Sequence, residues 1–399
     1  MPSTAYFITF LVVAQLVLML MHYVVYTAVV KYFGLYSSNV LWAFRAIMFV
    51  ASISFITISV ITYNFWSFWG HVFYTAIAVW LGLVIWLFFA SIILIIGDQI
   101  LQLFKMSDLL YWGLRGTLAL VCFAGAVGIN LYGLVHQSDI KVTKYTVELA
   151  NLPNSWDGRR AVMFADTHYG NVFSGDNART ISGLIASLKP DIIFMPGDFY
   201  DGPPMDYASP ARVYRLMIRD LKEEQKDFLG AFYVTGNHEE YRDRLTYVEP
   251  LKAAGFNILD NKEVKVDGVV ISGVSYKDSV KEADFDKTMA SSSVYMSDAP
   301  KILLKHVPDG LDTAVKYGTD LMLSGHTHRG QMWPFSIITG YIYKGFEYGQ
   351  NVFTSSVNDF AGKNKNSMTV ITTSGAGTWG PPQRIGTDTE IVEITFKKK

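Results

Sequence analysis

"DIIFMPGDFYDG", residues 191–202, runs four apolar residues and a proline into a Gly-Asp pair and a second aspartate. A stretch this short, apolar at every position and closed by a glycine reads as a strand buried on both faces. Asp198 and Asp201 are carried just past its end. Four other runs have the same form. "AVMFADTHYG" (161–170) delivers Asp166 and His168, and "AFYVTGNHEE" (231–240) delivers Asn237, His238 and Glu239. "KILLKHVPDG" (301–310) delivers His306, and "DLMLSGHTHRG" (320–330) delivers His326 and His328. Residues 178–188 and 211–221 between them have helical apolar spacing, so the pattern predicts an α/β domain. In open α/β sheets, sites form beyond the carboxyl ends of strands, and here five strands end in metal-capable residues.

The histidines sharpen this reading. Of the 8 in the chain, the five beyond residue 138 are His168, His238, His306, His326 and His328. Histidines serving only core or surface packing would also fall on helices, loops or the C-terminal stretch, and none does. His326 and His328, two positions apart on an extended segment, project from one face and can reach one site. Three carboxylates, a carboxamide and five imidazoles exceed the four ligands of a closed zinc site. With no thiolate among them, they point to two ions with open positions.

Outward from these runs, the composition splits. Residues 1–138 carry only Lys31, Arg45, Lys105 and Arg115 against Asp98 and Asp108, whereas residues 139–399 hold the other 30 basic and 33 acidic side chains. The first part is expected to be a transmembrane domain and the second a soluble catalytic domain. Apolar runs at about 6–30, 46–66, 72–96 and 116–135 predict four spans. The first lacks a basic leader and a small-x-small cleavage site, so it is expected to stay in the protein. Gln15, His22 and Asn130 inside the spans read as packing between helices. Lys31 and Arg45 flank the first loop and Lys105 and Arg115 the third, which predicts both loops cytoplasmic and the catalytic domain extracytoplasmic. Cys122, the one cysteine, lies in the fourth span, so no intrachain disulfide forms. The soluble part has no basic excess, and specific nucleic-acid binding is not expected.

In order and spacing, Asp-x-His, Gly-Asp-x-x-Asp, Gly-Asn-His-Glu, His and Gly-His-x-His over about residues 160–331 resemble the calcineurin-like metallophosphoesterases. The flanks "HTHRGQMWPF" and "SGAGTWGPPQRIG" resemble the branch whose members often carry membrane anchors. The resemblance implies a mixed β-sheet sandwich flanked by helices. It implies that Asp166, His168 and His328 hold one divalent ion, that Asn237, His306 and His326 hold a second, and that Asp198 bridges them. A metal-bridging hydroxide would be the nucleophile. His238 would be the general acid, held by Asp201, and a carboxylate there would offset the charge of an imidazolium beside two cations. Manganese, iron and zinc all suit oxygen and nitrogen ligands.

Several residues keep two readings. Asp201 is also an acceptable turn aspartate, and Glu239 suits a helix N-terminus as well as a catalytic role. Gly202 stands where the phosphoprotein phosphatases of this superfamily carry arginine, so one phosphate clamp is missing. Arg329 stands where many relatives carry glycine and would either bind a substrate phosphate or cap the loop in solvent. Lys301, Lys305 and Arg384 are undecided. The function expected is hydrolysis of a phosphomonoester or phosphodiester at a membrane, with a lipid or envelope phosphate favoured by location. The alternative is a metal-binding sensor or scaffold with little turnover. A transporter is disfavoured because the spans hold almost no charge.

Overall fold

The four charge-poor runs become four helices: α1 (Thr4–Phe33), α2 (Ser38–Asn64), α3 (Phe68–Gln102) and α4 (Asp108–His136). The computed structural model describes residues 4–65, 67–202, 205–240, 243–291, 298–356 and 366–399, and Trp66, the expected end of the second run, lies outside them. All four helices are long and apolar enough to cross a membrane. Leu16, Leu20, Val50 and Leu120 are more than half exposed, as side chains facing lipid are. α1 stops at Gly34, whose φ of 68° leaves the helical region, and α3 starts where Ser67 accepts a 2.9 Å bond from the Gly70 amide.

The helices overrun the charge-free runs, and three of the flanking charges they take in meet one another. Lys31 on α1 lies 2.9 Å and Arg115 on α4 3.5 Å from the buried Asp98 of α3, and the Tyr32 and Tyr111 hydroxyls donate to the same carboxylate at 3.0 and 2.8 Å. The first and third loops therefore meet on one side. Gln15 donates to the Ser52 carbonyl at 3.0 Å and Trp80 donates to His22 at 3.0 Å, so these polar residues join helix to helix.

The remaining chain alternates strand and helix. β1 (Ile140–Leu149), β2 (Arg160–Met163), β3 (Ile192–Pro196), β4 (Gly230–Val234) and β5 (Phe256–Ile258) are followed by β6 (Lys262–Val266), β7 (Val269–Val274) and β8 (Lys301–Lys305). β9 (Leu321–Ser324), β10 (Gly349–Thr354), β11 (Ser367–Thr372) and β12 (Thr389–Lys398) complete them. They form two six-stranded sheets, ordered β1-β12-β2-β3-β4-β5 and β10-β11-β9-β8-β7-β6. Both are mixed: β2 to β5 run parallel while β12 is antiparallel to β2, and β7, β8, β9 and β11 run parallel between antiparallel edges β6 and β10.

Alternation along each strand explains the layering. Ala161, Met163, Ile192, Phe194, Phe232 and Val234 meet Ile302, Leu304, Leu321 and Leu323 of the other sheet in one core. The residues between them, such as Val162, Ile193, Met195 and Tyr233, point outward under α5 (Gly175–Ser187), α6 (Ala208–Glu224) and α7 (Arg244–Ala253). Leu303 and Met322 do the same on the second sheet. There α8 (Tyr276–Ser279), α9 (Glu282–Ala290) and α10 (Leu311–Lys316) follow in the chain, with α11 (Phe335–Ile342) after β9. This is the mixed sandwich flanked by helices that the resemblance implies. The chain divides into two compact units, Met1–His136 with Gly380–Gln383, and Gln137–Trp379 with Arg384–Lys399.

Candidate metal centre

Loops leaving the carboxyl ends of β2, β3 and β4 in one sheet and of β8 and β9 in the other converge on one buried cup. A single open sheet would have supplied only part of it. Asp166, His168 and His328 offer atoms within 4.8 Å of one another, as do Asp198, His306 and His326, and also His168, Asp201 and His238. Asn237 joins the second group, its Oδ1 lying 3.1 Å from His306 Nε2. All seven expected ligands are therefore brought together.

The backbone bends to do this. Asp166, His168, Asp198, His326 and His328 have φ between 48° and 72°, the left-handed region that non-glycine residues rarely occupy. Five such residues in one cup mark a place where backbone strain is held for function. Gly236 shows how close the packing is, since any side chain there would collide with the Asp198 carboxylate.

Neighbouring groups aim each side chain. The His306 Nδ1 proton is donated to the Pro196 carbonyl at 2.7 Å, which turns Nε2 toward Asp198, 3.2 Å away, where a cation would displace the proton that nitrogen holds. Asp166 accepts the His326 amide at 2.9 and 3.1 Å, and Asp198 accepts the His238 amide at 3.0 Å. Glu239, fully buried, accepts from the amides of Asp198, Tyr200 and Gly236 at 2.9 to 3.1 Å. It caps no helix and braces the Gly-Asp loop. Arg384, also fully buried, donates to the carbonyls of His328, Ser374 and Gly377 and reaches His328 Nδ1 at 3.1 Å. A guanidinium can only donate, so Nδ1 accepts, and a cation at Nε2 would displace the remaining ring proton.

His238 departs in detail from the expected arrangement. Its Nδ1 is 3.0 Å from the main-chain carbonyl of Asp201 and 3.5 Å from the carboxylate. The backbone carbonyl orients the ring, and the carboxylate sits between His238 and His168, 3.8 Å from His168 Nδ1. Of the undecided residues, Arg329 stacks over Tyr348 with its guanidinium 4.2 Å from the ring centroid. Lys305 is buried against the Val307 carbonyl and Asp309, and the Lys301 amide bonds Asp320 at 2.8 Å. Tyr276 lies 6.3 Å from His306, Tyr343 6.3 Å from His326 and Trp379 5.9 Å from His238, ring to ring, and together they form an aromatic rim.

The electrostatics suit cations. Burial, then the neighbouring imidazoles, holds His168 and His328 well below their ordinary range and pushes His326 down to about 3, so all three rings are neutral. Burial opposes charge on His306, yet Asp198 and Asp166 carry it up to about 9. Burial likewise opposes ionisation of Asp198, but His306, His238 and His168 hold it well below the carboxylate range. Burial raises Asp166, Asp201 and Glu239 to about 7 each. The distances fit too: His168 Nε2 and His328 Nε2 are 2.9 Å apart. Two nitrogens bound at right angles to one ion would be separated by about 3 Å.

Comparison with known proteins agrees. The family model for calcineurin-like phosphoesterases matches residues 159–330. An uncharacterized metallophosphoesterase of Aquifex aeolicus (strain VF5) is 30% identical over 281 residues, which covers 69% of this chain and 98% of that protein. A transmembrane protein with metallophosphoesterase domain from Danio rerio is 28% identical over 289 residues, covering 68% of this chain and 60% of the fish protein. This chain thus spans the bacterial relative almost entirely and three fifths of the fish one. A solved 5'-nucleotidase precursor from Thermus thermophilus aligns at a TM-score of 0.35 and 14% identity, over 59% of this chain and 54% of that one, too loosely to argue from.

Proposed function

Since this chain belongs to the calcineurin-like phosphoesterase family, we propose that it is a membrane-anchored, dinuclear metal-dependent phosphoesterase acting on a phosphomonoester or phosphodiester. The observation that carries this reading is the convergence of seven oxygen- and nitrogen-bearing side chains, from loops of two sheets, on one buried cup. Asp166, His168 and His328 would hold one divalent ion, and Asn237, His306 and His326 the other, with Asp198 between. Two such ions supply Lewis acidity and lower the pKa of water, which an in-line displacement at phosphorus requires.

The chain's own residues do the rest. His238, held through Nδ1 by the Asp201 carbonyl, turns Nε2 toward the cup, where it is 4.0 Å from Asp198 and placed to protonate the leaving oxygen. Glu239 and Arg384 keep the Asp198 and His328 loops in position. The transmembrane domain is residues 1–138 and the catalytic domain 139–399, with the latter extracytoplasmic because Lys31, Arg45, Lys105 and Arg115 hold the first and third loops inside.

The test uses the full-length protein in detergent with manganese added. Metal content and turnover are measured on an aryl phosphate monoester, an aryl diester and a lipid phosphate. Two equivalents of metal with turnover of at least one ester is the expected result. Metal bound without turnover of any would leave a sensor or scaffold.

A further inference from the structure

Residues 333–343, "WPFSIITGYIY", carry no charged side chain, in a soluble unit where about one residue in four is charged. The stretch folds around α11, which buries none of its eight residues. Ile337, Ile338, Tyr341 and Ile342 are 53% to 87% exposed, and Trp333 ahead of the helix is 56% exposed. At 100° per residue the four helical side chains share one arc, leaving Phe335, Ser336, Thr339 and Gly340 for the protein side. Single exposed apolar residues need no explanation, but a contiguous face of them does.

This face borders the metal centre. Gly330, at the end of the loop carrying His326 and His328, abuts the backbone of Phe335 and Ser336 so closely that a side chain there would collide. At the other end of α11, the ring of Tyr343 is 6.3 Å from that of His326. The helix therefore lies along the ligand loop, with its apolar face about one helix diameter, roughly 10 Å, from the cup.

The occupant follows from the rest of the chain. Three residues, 137–139, separate α4 from β1, and α4 is one of four helices long and apolar enough to cross a bilayer. A tether of about 10 Å keeps the soluble unit at a lipid surface. Isoleucines beside tryptophan and tyrosine are the composition of a helix lying in the membrane interface. We propose that α11 rests in that interface and that the site it borders takes a lipid-borne phosphoester, whose phosphate reaches the cup while its hydrocarbon stays in the bilayer. This rests on the phosphoesterase reading above. One water is consumed: phosphorus gains its hydroxyl, the bond from phosphorus to the leaving oxygen breaks, that oxygen leaves as an alcohol with a proton from His238, and the proton the water gives up restores His238.

Two measurements test it. Full-length protein bearing Cys122→Ser and Ile338→Cys is spin-labelled and reconstituted in phosphatidylcholine–phosphatidylglycerol vesicles, and collision with oxygen is compared with collision with a nickel chelate. The oxygen-to-nickel ratio should exceed that of a label at Lys222→Cys, exposed on α6, by at least about fivefold. A ratio equal to that control places α11 in water, and shielding from both agents means that protein, such as a second copy, covers it; either overturns the proposal. In the second measurement, the rate on vesicle-borne phosphatidate and on a vesicle-borne phosphodiester lipid is divided by that on soluble nitrophenyl phosphate. For the better lipid, the double variant Ile337→Lys, Ile338→Lys should lower that ratio about tenfold or more. An unchanged ratio, or a wild type that cleaves the soluble ester and neither lipid, overturns the substrate class. If the wild type cleaves nothing, the phosphoesterase reading fails and the substrate class with it, while the spin label still decides where α11 lies.

Discussion

A general acid and a metal ligand leave different traces when removed, and His238 can be told from its neighbours by that difference. His238→Ala should keep both ions and lose about 10² to 10⁴ in rate on alkyl phosphoesters, with a much smaller loss on nitrophenyl esters, whose leaving group needs no proton. Metal content and the two rates check this together. Asp201→Asn should lose only a few-fold, because the ring is held by the main-chain carbonyl at 3.0 Å, which the substitution leaves in place. Asp198→Asn should lose metal and activity together, measured by metal analysis against Asp220→Asn on the exposed face of α6. Asp191, just ahead of β3, is unsuitable as that control, since its carboxylate accepts the Arg160 amide at 2.7 Å and pairs with Arg159 at 3.3 Å. The seven ligand candidates were legible in the sequence because metal chemistry restricts residue type and strand ends restrict position. Glu239 was not, because a carboxylate that accepts three backbone amides looks in sequence like any acid at a helix start. The left-handed φ values were equally hidden, being a property of loops already folded.

Elements show the same boundary between what a local pattern carries and what it does not. The five ligand-bearing strands were readable because each is buried on both faces and so is apolar at consecutive positions. Their division between two sheets was not, because pairing joins runs far apart, as when Leu321 of β9 meets Thr369 of β11. Arg384 belongs to this class. It stands 56 positions from His328, yet it ties that residue's loop to the carbonyls of Ser374 and Gly377. Arg384→Ala should leave several buried carbonyls unpaired at about 1 to 3 kcal/mol each. The expected outcome is a clearly lowered melting temperature and weakened metal binding, read by thermal unfolding with and without manganese. Wild-type protein with manganese at a hundred times its Kd should gain about 2.7 kcal/mol, and the variant less. α11 escaped a reading of the sequence because an eight-residue, charge-free stretch after a polar loop has no period long enough to separate an exposed helix from a buried one.

For the whole molecule, orientation is the first expectation. A reporter fused after Lys399 should behave as extracytoplasmic and one placed near Met106 as cytoplasmic; protection of the soluble unit from protease added to intact cells would reverse this. Lys31, Asp98 and Arg115 meeting at one end of the helices accounts for how both loops come to share a side. The pairing of β1 with β12 reaches further, into the order of synthesis. Ile140 lies beside Thr389, so the first strand made after the helices waits for nearly the last. At 5 to 20 residues per second that wait is roughly 12 to 50 s. Meanwhile the nascent chain would carry an unpaired strand edge, the surface on which chains aggregate. Lys141, Lys144 and Glu148 on that strand are the kind of charges that discourage wrong partners. A chain stopped after Asp388 should therefore keep every proposed ligand and still fail to accumulate, which pulse-labelling of the truncated and 399-residue chains would reveal.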